Sequence, residues 1–134
     1  MAHKPPVVIE SPARVLVVDD FPCRKDALYA SGVLKTACTY SSNALHALDQ
    51  LEMNEFDVIF LDHDLETYVY EPYPREITGR DLAKCIVGLP WKPALVVIHS
   101  MNPKGAEVME SILQGEGIKV LRIPITELAG WRQK

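Results

Sequence analysis

Val15-Leu16-Val17-Val18-Asp19-Asp20-Phe21-Pro22-Cys23-Arg24 is the stretch that decides the fold. An unbroken run of apolar, mostly β-branched residues is what a central strand needs when both faces of a parallel sheet are covered. Two carboxylates close the run, Pro22 opens a helix, and Gly32 ends it. Val58-Ile59-Phe60-Leu61 repeats the design and ends in Asp62-His63-Asp64, and residues 94–98 repeat it again before His99-Ser100. Weaker strands fit residues 36–40 and 119–123.

Helical patterns fill the intervals. Ser41-Ser42-Asn43 supplies an N-cap for a helix whose Ala44, Leu45, Leu48, Leu51 and Glu52 spacing places leucines on one face. Residues 79–88 form a short helix. Asn102-Pro103 reads as N-cap and first-turn proline for a helix carrying Val108, Met109, Ile112 and Leu113, ended by Gly115 and Gly117. Thr126 is expected to cap a last short helix. Strand and helix alternate five times, which predicts an α/β fold: a flavodoxin-like (βα)5 three-layer sandwich with sheet order 2-1-3-4-5.

The chain has 134 residues, 48% hydrophobic and 24% charged, which suits one packed domain and excludes disorder. Residues 1–13, with Pro5, Pro6 and Pro12, are expected to be a flexible or extended arm, and 14–134 the domain. A net charge of −4 gives no reason to expect broad nucleic-acid or membrane binding. No apolar run is long enough to span a bilayer and the start lacks a secretory core, so a cytoplasmic protein is expected. Cys23, Cys38 and Cys85 form no metal or disulfide pattern and are expected to be reduced and mostly buried.

In an open parallel sheet the ligand crevice lies beyond the carboxyl ends of the strands. This chain concentrates polar residues there. Asp19, Asp20, Asp62 and Asp64 would repel one another unless protons or a cation relieve them, and a hard divalent ion, Mg2+ or Mn2+, is the natural relief. A single such Asp ordinarily caps the next helix; several on two core strands favour the metal reading. His63 and His99 titrate near neutrality and suit general acid and base roles, with Asp62 beside them. His46 and His3 are read as structural. Ser100, Asn102, Lys104 and Gly105, at a helix N-terminus, offer amides and a positive charge to a phosphate-bearing ligand. Residues 65–78 are too long for an ordinary βα turn, and Tyr68, Tyr70, Tyr73 and Arg75, with Arg80 just beyond, are candidates for a substrate loop.

The first-strand motif resembles that of response-regulator receiver domains, and the likeness in element order runs from about Arg14 to the C-terminus. In those slots Asp19 and Asp20 imply magnesium binding and Asp62 a phosphoryl acceptor. Two slots differ: His99 stands where a hydroxyl residue is expected, and Ile123 where a lysine is expected before Pro124. Leu61-Asp62-His63-Asp64-Leu65, the long insert, and Ile98-His99-Ser100-Met101-Asn102-Pro103-Lys104-Gly105-Ala106 are similar to the cyclic-phosphate processing receiver-like family. That resemblance implies a metal-dependent phosphoesterase acting on cyclic phosphates of nucleotides or RNA ends. Attack by water directly, or through an acyl phosphate on Asp62, stays open. The alternative is an atypical receiver that works as a signalling or protein-binding module, phosphorylated on Asp62 or not, with a protein partner or a homodimer.

Overall fold

The computed structural model describes residues 4–65 and 77–130. Five parallel strands form the main sheet: β2 (Val15–Val18), β4 (Cys38–Ser41), β5 (Val58–Leu61), β6 (Leu95–Ile98) and β7 (Val120–Arg122). Their spatial order is β4-β2-β5-β6-β7, which is the expected 2-1-3-4-5. A second, two-stranded sheet pairs β1 (Ile9–Glu10) with β3 (Leu34–Lys35), also in parallel. Within the expected flexible or extended arm, Ile9–Glu10 is thus extended and docked on the domain. Ile9 is buried and donates its N–H to the Val33 carbonyl at 2.7 Å, so burial of one apolar side chain ties the arm to the domain.

Five helices cover the main sheet: α1 (Pro22–Ala30), α2 (Ala44–Met53), α3 (Gly79–Val87), α4 (Pro103–Gln114) and α5 (Ile125–Ala129). Period-two alternation along the strands sorts the core into two layers. Leu16, Val18, Ile59, Leu61, Val96 and Ile98 pack against α2, α3 and α4. Val15, Val17, Val58, Phe60 and Val97 pack against Leu28 of α1 and against Ile125 and Leu128 of α5. The uninterrupted hydrophobicity of the strands therefore has its expected cause, a helix layer on each face.

The helix starts follow local chemistry. Asn43 accepts from the His46 N–H, Asn102 accepts from the Gly105 N–H, and Thr78 with Asp81 forms a capping box on α3. Thr126 does not cap α5. That helix starts at Ile125, with Pro124 in the N-cap position two residues before Thr126, so Thr126 lies inside it. The cysteines also differ from expectation, since Cys23 and Cys85 are exposed and Cys38 is half-buried. The first two lie on α1 and α3, outside the buried strands.

Candidate functional site at the carboxyl rim of the sheet

Asp19, Asp62 and His99 each follow directly on the last residue of a strand. Because Val18 pairs with Leu61 and Leu61 with Ile98, these three residues form the next row across adjacent strands. The ladder continues into that row, with the Asp62 N–H bonding to the Val18 carbonyl and the His99 N–H to the Leu61 carbonyl. Strand alternation sends the row toward the α1 and α5 layer, where Phe60 and His99 place their ring centroids 6.4 Å apart. All three side chains are buried.

Arg24, in the first turn of α1, reaches into this row. Its Nη1 lies 3.4 Å from Asp19 Oδ2 and 3.1 Å from Asp62 Oδ2. The other oxygen of each carboxylate accepts a backbone N–H, from Phe21 for Asp19 and from His63 for Asp62, both at 2.8 Å. His99 Nε2 donates to Asp19 Oδ2 at 2.7 Å, while its Nδ1 has no hydrogen-bond partner among the described residues. Sequence reading did not single out Arg24. Its position one turn into the helix after Asp19 was the available sign.

The carboxylates titrate differently for identifiable reasons. Burial alone would raise Asp19, but its hydrogen bond from His99, the charges of His99 and Arg24, and the Phe21 N–H outweigh burial and hold it below the usual range. Asp62 is raised, chiefly by burial and also by the neighbouring Asp19, with His99 and Arg24 opposing. Asp20, half-buried one residue beyond, is pushed up to about 6 by burial and by the charges of Asp19 and Asp62.

The next row turns the opposite way, toward α3 and α4. His63 Nδ1 lies 2.9 Å from Asp64 Oδ1, and Asn102 Nδ2 reaches the same Asp64 oxygen at 3.4 Å. Close packing fixes this turn. A Cβ at Gly105 would stand 2.4 Å from His63 Cγ, and one at Gly79 would stand 2.1 Å from the Asp62 carbonyl oxygen. The Gly79 N–H in turn donates to the His63 carbonyl.

The geometry therefore regroups the expected residues. Asp64 is exposed and serves His63, apart from the Asp19 and Asp62 pair. The two histidines are not placed alike, because alternation sends them to opposite layers: His99 is fully buried against Asp19, and the His63 side chain retains 18% exposure. Ser100 Oγ accepts from the Asn102 N–H, and Asn102 Oδ1 occupies the Gly105 amide, so those groups are engaged locally. Lys104 and Arg80 are exposed in the first turns of α4 and α3. Tyr68, Tyr70, Tyr73 and Arg75 lie outside the described residues.

For a cation, Asp19, Asp62 and His99 each offer a ligand atom, all within 4.8 Å of one another. Carboxylate oxygens suit a hard divalent ion. The donor set fits one, provided Arg24 gives up the oxygens it now holds.

A family model described as the cyclic-phosphate processing receiver domain matches residues 14–115. The chain belongs to that family. Solved structures similar to it include receivers of the response-regulator type. The CheY-like receiver domain of Methylobacillus flagellatus has a TM-score of 0.58 at 20% identity, covering 89% of this chain and 92% of that one. The response regulator domain of CheB from Thermotoga maritima has a TM-score of 0.55 at 21% identity, covering 88% and 78%. A CheY-like receiver from Methanospirillum hungatei gives 0.54 at 18% identity, covering 85% and 82%. At these identities the likeness establishes the fold. No curated protein sequence matches the chain. Among the described residues of this receiver, no helix is long and apolar enough to cross a membrane.

Proposed function

We propose that this receiver is a divalent-metal-dependent phosphoesterase that opens cyclic phosphates of nucleotides or RNA ends. The observation that carries the reading is His63, oriented by Asp64 at 2.9 Å and next in the chain to the buried Asp62 at the carboxyl ends of the strands. With Asp64, which only accepts, as the nearer Nδ1 partner and Asn102 Nδ2 farther off at 3.3 Å, His63 would carry its proton on Nδ1 and keep the lone pair on Nε2. His63 Nε2 takes the proton of an attacking water and returns it to the departing ribose oxygen, so one water is consumed and one P–O bond is opened.

Asp19 and Asp62 would hold Mg2+ or Mn2+, with Asp20 at their edge. The ion supplies Lewis-acid polarisation of the phosphoryl oxygens. His99, wholly buried, is a positioning residue here: it fixes Asp19 through Nε2. Lys104, exposed in the first turn of α4, would meet a phosphate oxygen.

The test is turnover. Purified protein is incubated with 2′,3′-cyclic nucleotides and with cyclic-ended RNA, in magnesium, manganese or chelator. Opening above the rate of a His63→Ala, Asp62→Ala double variant is expected, and only with metal. No opening above that variant in any condition sinks the reading. A stable beryllofluoride adduct on Asp62 without turnover would instead favour a signalling module that binds a protein partner.

A further inference from the structure

We infer that Arg24 is a resident cation of the Asp19 and Asp62 pair, and that a divalent ion binds only as the Arg24 guanidinium withdraws. The inference rests on the metal reading above and concerns what controls it. One oxygen of each carboxylate is committed to a backbone N–H, from Phe21 and from His63. The remaining oxygen of each, Oδ2, faces Arg24 Nη1 at 3.4 and 3.1 Å. Arg24 takes a lone pair on each of these oxygens, and His99 Nε2 takes another on Asp19 Oδ2 at 2.7 Å, so a lone pair given to the arginine N–H is one not given to an ion. Both acids and the arginine are buried, so water screens little of the repulsion between a guanidinium and a divalent cation in one place.

The arginine also has somewhere to go. Its Cζ lies 4.8 Å from the centroid of the Phe21 ring, which is 41% exposed. That contact is already made while the guanidinium holds the carboxylates, and a guanidinium that leaves them can keep it, so withdrawal need not break both interactions. Bound metal and the inward arginine are thus alternative states of one site, and the ion shifts the population by its preference for the outward state.

Two measurements decide it. Metal-free wild type and Arg24→Met are titrated with Mn2+ by calorimetry, and the variant is expected to bind roughly tenfold tighter or more. Separately, the Arg24 side-chain Nε–H resonance of wild type is followed by NMR as magnesium is added. It is expected to move saturably with the midpoint of metal binding. Equal Mn2+ affinity in the two proteins overturns the inference, as does metal binding that leaves the Arg24 resonance unmoved, or no binding by either protein at millimolar metal. Should the variant fail to fold, the wild-type NMR titration decides alone. The outcomes separate from those of the proposed function. Tighter binding by the variant with no turnover keeps this inference and removes the phosphoesterase, while equal binding with metal-dependent turnover does the reverse.

Discussion

His99 Nε2 stands 2.7 Å from Asp19 Oδ2, and neither side chain is exposed. Removing the imidazole strands a buried carboxylate with one donor fewer. Loss of a hydrogen bond to a buried carboxylate costs about 1.5 to 3 kcal/mol. His99→Ala is expected to lose stability of that order in urea denaturation. A loss below about 1 kcal/mol, the worth of an exposed pair, would show that the contact does not organise the rim.

Two glycines separate steric need from helix propensity. A Cβ at Gly79 would meet the backbone of Asp62 and His63, at 2.1 and 2.8 Å, and backbone cannot swing aside. At Gly88, which caps α3 with φ −83°, the nearest atom is 3.6 Å away. Gly79→Ala is expected to destabilise by roughly 3 kcal/mol, the upper end for overpacking. Gly88→Ala should be neutral or gain up to about 1 kcal/mol through the unfolded chain. Equal effects in chemical denaturation would contradict the packing of the 62–64 turn.

Asp20 gives a pH dependence of definite sign. Its folded pKa, about 6, exceeds the ordinary 3.8, so the native state holds its proton more tightly than the unfolded chain does. Its contribution therefore weakens stability as pH rises from about 4 to about 6. Asp62 is raised and acts in the same direction, whereas Asp19 is lowered and costs stability only as pH falls below the ordinary carboxylate range. In chelator, Asp20→Asn should melt higher than wild type at pH 7 and lose that advantage near pH 4. A variant that melts lower at pH 7 would place Asp20 in a favourable rather than a repulsive field.

Asp64 is expected to matter for the proton and not for the metal. Asp64→Ala removes the acceptor that orients His63 while leaving Asp19, Asp62 and Arg24 untouched. Turnover of a cyclic nucleotide should fall by about 10- to 100-fold, the usual cost of losing a histidine's orienting partner. Manganese affinity measured by calorimetry should stay as in wild type. If instead the affinity collapses, Asp64 is a ligand after all.

How much of this was readable beforehand differs by element. The apolar runs at Val15–Val18, Val58–Leu61 and Leu95–Ile98 carry a local and strong pattern, as do the caps at Asn43 and Asn102. The strand pair that ties down the arm was not legible, because Ile9 and Leu34 form runs too short to show any period. Thr126 misled for a related reason: a capping residue type lies two residues after a proline that can begin the helix itself.

The site divides in the same way. By itself the sequence determined that acids and histidines crowd the carboxyl rim of a parallel sheet, since strand ends are set by local hydrophobic runs. Only the tertiary structure decided who meets whom. Asp19 and His99 are 80 residues apart and Arg24 and Asp62 are 38 apart, and each pair meets through sheet register and helix docking. Alternation past the strand ends then split the rim, sending Asp19, Asp62 and His99 to Arg24 and sending His63 to Gly105. Such pairings depend on the packed positions of distant segments, and no local spacing encodes them.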